Sequence, residues 1–354
     1  MQGQDLTLKL QAQVQHAIES HTPLHIIGGN SKAFYGAVTS ATIPLQLSGH
    51  QGIVDYEPSE LVITVRSGTS LVELNKVLEG QGQMLAFEPP SFADNATIGG
   101  TIACGFSGPR RPYAGSARDF VLGCSILSGK AERLHFGGQV MKNVAGFDVS
   151  RLMVGALGQL GVLLEISLRV MPIPEAEITL SYSTSSYHQA LELMQRWQGQ
   201  PWPISALAYD GHKLLVRLSG AETALCSAAK KLGGEIDNEG DEFWHDLREH
   251  QLDFFRSPAY LWRISIAPAT QMLDIPGNWL LDWGGAQRWL KSPVPANQIH
   301  ETVQAQGGHA ICFRGSEKKD WLRLEPRLLA LHKKVRQAFD PYQLLNPHRF
   351  SPEL

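Results

Sequence analysis

Between Glu88 and Pro172 the chain carries a stretch that no ordinary core accounts for: EPPSFADNATIGGTIACGFSGPRRPYAGSARDFVLG, a hairpin-like continuation, then KNVAGFDVSRLMVGALGQLGVLLEISLRVMP. It is dense in glycine, short hydroxyl side chains and paired prolines, yet it sits between apolar, β-like runs. Glycine lets a backbone approach a ligand closely and take positive φ. Several glycine turns close together therefore read as main chain wrapped around something large and polar. A second such loop, Gly28-Gly29-Asn30-Ser31-Lys32, follows the apolar run Leu24–Ile27. Both loops are read as cradling one dinucleotide.

The rest of the chain sets the frame for those loops. Its 354 residues exceed one ordinary domain. The balance of 31 Lys+Arg against 34 Asp+Glu argues against a nucleic-acid partner. No apolar run approaches the roughly 20 residues of a membrane span, and the first residues lack a signal-peptide pattern. Cys104, Cys124, Cys226 and Cys312 are far apart with no C-x-x-C, which points to reduced thiols in the cytoplasm. The same spacing excludes a self-contained iron–sulfur site of the usual kind.

Periodicity predicts an amphipathic helix over Asp5–Ser20, strands at Leu24–Ile27, Ile43–Leu47 and Leu61–Val65, and a helix opened by the Ser70–Glu73 capping-box spacing. Strands near Phe120–Leu127, Arg133–Phe136 and Val162–Val170 follow, with a helix over Asp148–Ala156. Pro172-Ile173-Pro174 reads as a domain boundary. Beyond it, strand, helix, a hairpin turning at Asp210-Gly211, and a further helix describe an antiparallel sheet with helices on one side. A second set of strands and helices follows, then a charged turn at Glu317–Asp320, a helix over Pro326–Phe339, and an apolar tail expected to return to the first domain.

The usual dinucleotide fingerprint, G-x-G-x-x-G with a following acidic residue, is absent, which counts against a Rossmann-type nicotinamide enzyme. Glycine loops also hold pyrophosphate as anion-binding nests. Loop 28–32 offers consecutive N–H groups, the Ser31 hydroxyl and the Lys32 cation. Thr97-Ile98-Gly99-Gly100 offers a second set at an expected helix N-terminus.

In order and spacing, PLHIIGGNSK, PPSFADNATIGGTIACGFSG, RDFVLG and the KNVAGFDVSRLMVGALGQLGVL segment resemble the vanillyl-alcohol-oxidase (PCMH-type) FAD-binding superfamily over about the first 172 residues. The tail DPYQLLNPHRF resembles that of the glycolate and D-lactate dehydrogenase branch. GPRRPYAGSARDFVLG, LLDWGGAQRWLKS and GGHA are similar to the FAD-binding E subunits of bacterial glycolate oxidases. The resemblance implies an α+β fold: a PCMH-type domain of two subdomains over 1–172, an antiparallel-sheet cap domain over 173–325, and a C-terminal helix and tail, 326–354, packing back on the FAD domain.

Carried over by position, it implies that Gly28, Gly29, Asn30, Ser31 and Lys32 bind the pyrophosphate. Pro90, Thr97, Ile98, Gly99, Gly100 and Ser107 would line the second FAD loop, Gly161 and Val162 would meet the adenine, and Asn346 and Arg349 would stand near the flavin. Many relatives attach the flavin to a histidine in the first loop. Asn30 and Ser31 stand there instead, so the FAD is expected to be non-covalent.

Oxidation of a 2-hydroxy acid needs a cation for the carboxylate and a base for the hydroxyl proton. Related catalytic subunits carry these on a G-D-G-N-x-H segment, which is missing, and no histidine pair shows metal-ligand spacing. Arg263 and His309 are the nearest substitutes; the alternative reading is a strand-surface charge and a turn residue. Arg110-Arg111 reads as facing an acidic ligand or partner, or as an exposed loop pair. Lys142-Asn143 reads as approaching the flavin or as a loop anchor, and Cys104 as a small buried residue.

The resemblance implies an FAD-binding subunit of a glycolate dehydrogenase complex, with a second FAD-binding catalytic subunit and an iron–sulfur subunit as partners. Its place would be cytoplasmic, peripheral to the membrane through those partners. Two alternatives remain open: a self-sufficient FAD dehydrogenase for glycolate or D-lactate, and a non-catalytic scaffold.

Overall fold

The computed structural model describes residues 3–37, 39, 41, 43–138, 148–184, 186–256, 260–315 and 324–354. The segment Lys142–Gly146 and the charged turn Glu317–Asp320 lie outside the described residues. The chain divides into two compact units. Met1–Phe106, Ser116–Ile173 and Leu324–Leu354 form the first, and Ser107–Gly115 with Pro174–Arg323 form the second.

The first unit holds strands β1 (Leu24–Ile27), β2 (Ile43–Gln46), β3 (Ile53–Glu57), β4 (Val62–Arg66), β5 (Gln83–Met84), β6 (Val121–Leu127), β7 (Arg133–Gly137), β8 (Val162–Arg169) and β9 (Met171–Pro172). Among the described residues, β1 and β2 pair in parallel, β5 pairs β9, and a five-stranded antiparallel sheet runs β3-β4-β8-β6-β7. The central strands read as near-continuous apolar runs because both their faces are covered. Ser167 would face water if β8 were exposed on one side. Instead it is buried, and its hydroxyl pairs with Thr64 across the β4–β8 register at 2.8 Å.

The helix Thr7–Ser20 lays Leu10, Val14 and Ala17 against Leu24, Leu45, Leu127, Val162 and Leu164. Leu344 and Leu345 of the tail complete that core. The Asp340 carboxylate accepts from the N–H groups of Leu344 (3.1 Å) and Leu345 (2.9 Å), turning the chain out of the helix Pro326–Phe339. The tail then bonds alongside β1: Leu24 donates to the Leu344 carbonyl and Asn346 to the Leu24 carbonyl. The helix expected over Asp148–Ala156 is a single turn, Val149–Leu152. Gly155 lies in the left-handed region at φ 82°, which ends it.

The second unit holds β10 (Ala176–Ser183), β11 (Ile204–Tyr209), β12 (Lys213–Gly220), β13 (Glu235–Ile236), β14 (Leu261–Ser265), β15 (Asn278–Asp282), β16 (Gln287–Lys291) and β17 (His309–Arg314). They form one sheet in the order β13-β10-β12-β11-β15-β16-β14-β17, its halves joined where Tyr209 meets Leu281. Helices Tyr187–Gln198 and Glu222–Leu232 cover the face bearing Leu180, Leu207 and Val216. Helix Ala296–Ala305 packs Ile299 and Val303 on Trp262, Ile264 and Leu290.

Helices are not confined to one side, contrary to expectation. Thr179 and Arg217 are paired neighbours, one residue out of step with Leu180 and Val216, so they occupy the opposite face. There Trp244, from the helix Gly240–Glu249, donates its indole N–H to Thr179 at 2.9 Å and lies 5.3 Å from the Arg217 guanidinium.

The exposed-pair reading of Arg110-Arg111 also fails. Arg110 is buried, bonded to Glu177 at 2.6 Å and to Ser219 at 3.1 Å. The Arg111 guanidinium lies 4.3 Å over the Trp283 ring. These contacts explain why residues 107–115 belong to the second unit, which takes Ser107 with them.

Candidate functional site

In the first unit a cleft runs between β1 with its following loop, the end of β4, the helix Ile98–Cys104, the 157–163 turn and the C-terminal tail. Of the residues expected at a cofactor, Gly28, Gly29, Asn30, Ser31, Lys32, Thr97, Gly99, Gly100, Gly161, Asn346 and Arg349 line it. Pro90, Ile98 and Val162 are buried and do not line it. Ser107 belongs to the other unit.

The two glycine loops reach the cleft for different reasons. Asn30 is left-handed at φ 61°, which turns successive amides to one side as in an anion nest. Among the described residues, the N–H groups of Gly29, Asn30 and Ser31 donate to no protein acceptor. Beside them the Lys32 ammonium is buried, bonded to the Ser31 hydroxyl (3.3 Å) and the Ser91 carbonyl (3.2 Å). Three unspent donors and a cation suit a diphosphate.

The second loop does not offer its amides. Ile98 donates to the Thr69 carbonyl, Gly99 to the Ser67 carbonyl, and Gly100 to the Thr97 hydroxyl. Nor do the glycines serve mainly to leave room for phosphate. A Cβ on Gly29 would come 1.5 Å from the Asn95 carbonyl oxygen, on Gly28 2.4 Å from Thr97 Oγ1, and on Gly99 2.6 Å from Ser67 Cβ. Their absent side chains let the two loops and the end of β4 close on one another. The second loop is a buttress for the first.

The tail forms an adjoining wall. Asn346 is buried, with its Oδ1 accepting from the Ile26 N–H and its Nδ2 donating to the Leu157 carbonyl, both at 2.8 Å. A Cβ on Gly158 would come 2.8 Å from that Nδ2, so glycine is required there. Arg349 donates to the carbonyls of Ala33 (2.7 Å) and Ala37 (3.2 Å), bracing the turn that follows the nest. Burial lowers its pKa, and the neighbouring Cys104 acts in the opposite sense.

His25 also lines the cleft; burial first, then the Arg349 charge, lowers its pKa and favours a neutral ring. Cys104 is half-exposed on the cleft wall rather than buried. Sequence reasoning also missed Ser67, Leu157, Gly158 and Leu163 in the lining. The buried Ser67 Oγ has no hydrogen-bond partner among the described residues. The only cue to it was the Gly68 stop after β4.

Arg263 and His309 do come together in the second unit. Arg263 pairs with Ile311, and His309 with Ser265, across β14 and β17, so both side chains stand on one face as diagonal neighbours. Crowding by surrounding protein, then the Arg263 charge, lowers the His309 pKa. Neither residue lines the cleft of the first unit. On the same side His250 stacks on Phe255 with centroids 4.2 Å apart, and burial holds its pKa well below the usual value. Among the described residues no cluster of His, Cys, Asp and Glu could hold a metal ion, and no helix is long and apolar enough to cross a membrane.

Residues 7–137 match the family model described as an FAD binding domain. The chain is 48% identical over 351 residues, covering 99% of both chains, to the glycolate oxidase subunit GlcE of Escherichia coli (strain K12). The chain belongs to the GlcE family. It is also 29% identical over 175 residues, 49% of this chain and 36% of the relative, to a D-lactate dehydrogenase of Anaerostipes hadrus. In solved structures the fold is similar to alkyldihydroxyacetonephosphate synthase, with a TM-score of 0.69 at 14% identity over 96% of this chain and 74% of that one. That likeness shows the PCMH-type fold alone. As a GlcE-family member, the chain is an FAD-binding subunit of a multi-subunit oxidoreductase related to the 2-hydroxy-acid dehydrogenases, with non-covalent FAD as its cofactor.

Proposed function

We propose that this subunit serves a glycolate-oxidising complex, alongside a second FAD-binding subunit with the catalytic histidines and an iron–sulfur subunit. The unspent N–H groups of Gly29, Asn30 and Ser31 support the flavin part of this reading, because among the described residues they donate to no protein acceptor. They and Lys32 would hold the diphosphate, with Thr97, Gly99 and Gly100 supporting the loop from behind. Gly161 would meet the adenine with its backbone. Asn346 and Arg349 would brace β1 and the turn after the nest, and Ala103, Leu157 and Leu163 would exclude water from the ring. Bound FAD supplies two-electron acceptance, here in passing electrons from glycolate oxidation towards the iron–sulfur partner. Such a role needs no base in this chain, and the missing G-D-G-N-x-H segment agrees with that.

The test is spectroscopic. Anaerobic glycolate added to the purified chain should leave the flavin absorbance unchanged, and should bleach it once the second flavin subunit is present. Bleaching of the chain alone would overturn the relay reading.

One observation favours a second reading, a self-sufficient dehydrogenase. Arg263 is a cation suited to a carboxylate, and the adjacent His309 is held towards its neutral, base-competent form. If that reading holds, Arg263→Ala should abolish bleaching by glycolate or D-lactate and leave flavin content unchanged.

A further inference from the structure

The C-terminal helix Pro326–Phe339 buries only Arg336, although nine of its fourteen residues are Leu, Ala, Val, Phe, Pro or His. Its inner side meets the first unit through Phe339, whose ring lies 6.3 Å from Phe136, and His332, stacked on Phe350. Its outer side leaves Leu328 44% and Leu331 56% exposed, with half-buried Val335 beside them. Positions 328, 331 and 335 form one helical stripe. Exposed Arg327 and Lys334 border it, and there is no acidic residue from Pro326 to Phe339. In a chain of net charge −3, this is a local basic and apolar face.

We infer that this outer face is where the subunit docks on a partner chain, receiving an apolar groove or helix whose rim carries carboxylates. The inference rests on the multi-subunit reading, which requires a partner-facing surface somewhere on the chain. The spacing is that of anchors a groove takes from an amphipathic helix. The basic flanks choose the occupant. A second copy across a two-fold axis would bring Arg327 and Lys334 against the same pair of cations. A lipid surface wants a broad apolar face with aromatic anchors. Here much of the apolar side is spent on the helix's own unit, which leaves a narrow stripe. A partner with carboxylates around an apolar contact satisfies both halves of the face.

The test uses the complex purified through its partner subunits. Wild-type chain should co-elute with them. The double variant Leu328→Asp/Leu331→Asp should elute alone, with flavin content and melting temperature unchanged because neither side chain is buried. Arg327→Glu/Lys334→Glu should weaken assembly by roughly tenfold or more and abolish its salt sensitivity. Assembly of the leucine variant at wild-type affinity would overturn the proposal. So would leucine-dependent binding of the free chain to anionic phosphatidylserine vesicles with assembly intact. A wild-type chain that finds no partner would instead refute the subunit reading, and this proposal with it.

Discussion

Replacing Asn346 by alanine probes how the tail and the cleft depend on each other. The carboxamide is 6% exposed and satisfies two backbone groups that have no other partner among the described residues, the Ile26 N–H and the Leu157 carbonyl. Each stranded group costs about 1–3 kcal/mol when water cannot reach it. Asn346 also sits in the left-handed region at φ 42°, which alanine tolerates less well, by about 1 kcal/mol. The variant should therefore lose about 3–7 kcal/mol from the first unit. All eight tryptophans lie between Trp197 and Trp321, in the second unit, so indole fluorescence would miss the change. Urea unfolding of the flavin-free chain should be followed by far-UV circular dichroism instead, where the first transition moves to lower urea with an unchanged slope. Ile26 and Leu157 both line the cleft, so FAD affinity should fall roughly tenfold for each 1.4 kcal/mol spent re-ordering them. A variant within about 0.5 kcal/mol of wild type and with unaltered FAD affinity would refute this account of the tail.

Gly29→Val should leave the protein colourless and lower its melting temperature, because even the first added carbon meets the Asn95 carbonyl oxygen at 1.5 Å; a stable, fully flavinated variant would contradict the loop contact. Glu177→Gln removes the charge opposite buried Arg110 and should cost the second unit about 1–3 kcal/mol in urea midpoint read by tryptophan fluorescence. The second unit should also lose stability in mild acid. Enclosure among the rings of Phe255, Trp289 and Phe313 holds the pKa of half-buried His250 below 6.5, so below pH 6.5 the unfolded chain binds the proton that the folded one refuses. The loss should reach about 1.4 kcal/mol by pH 5.5. His309 is shifted the same way, so His250→Phe should flatten the profile only in part.

What the sequence made legible was local, and what it hid was held by distant partners. Glycine clusters, the Asp210-Gly211 hairpin and the apolar tail each carry their reason within a few residues. Ser70 likewise accepts from the Glu73 N–H at 3.1 Å, as its spacing predicts. The spent amides of residues 98–100 could not be foreseen, because two of their acceptors lie on the chain just after β4, about 30 residues away. Arg110 looked like a loop charge since its carboxylate partner, Glu177, belongs to another element. Strand β16 was missed for a similar reason. Arg288 in its middle reads as an exposed residue, yet it is fully buried, with its guanidinium bonded to the carbonyls of Gly285, Gln271 and Thr270. Strand β3 escaped because it is a largely exposed edge with little apolar alternation.

The central claim is that one cleft, built from this chain's own amides, grips FAD without a covalent bond. Acid precipitation of the purified chain, followed by chromatography of the supernatant, tests it directly. The account predicts close to one free FAD per polypeptide and a colourless pellet. A chain that carries no flavin, or one whose flavin stays with the precipitated protein, would contradict it.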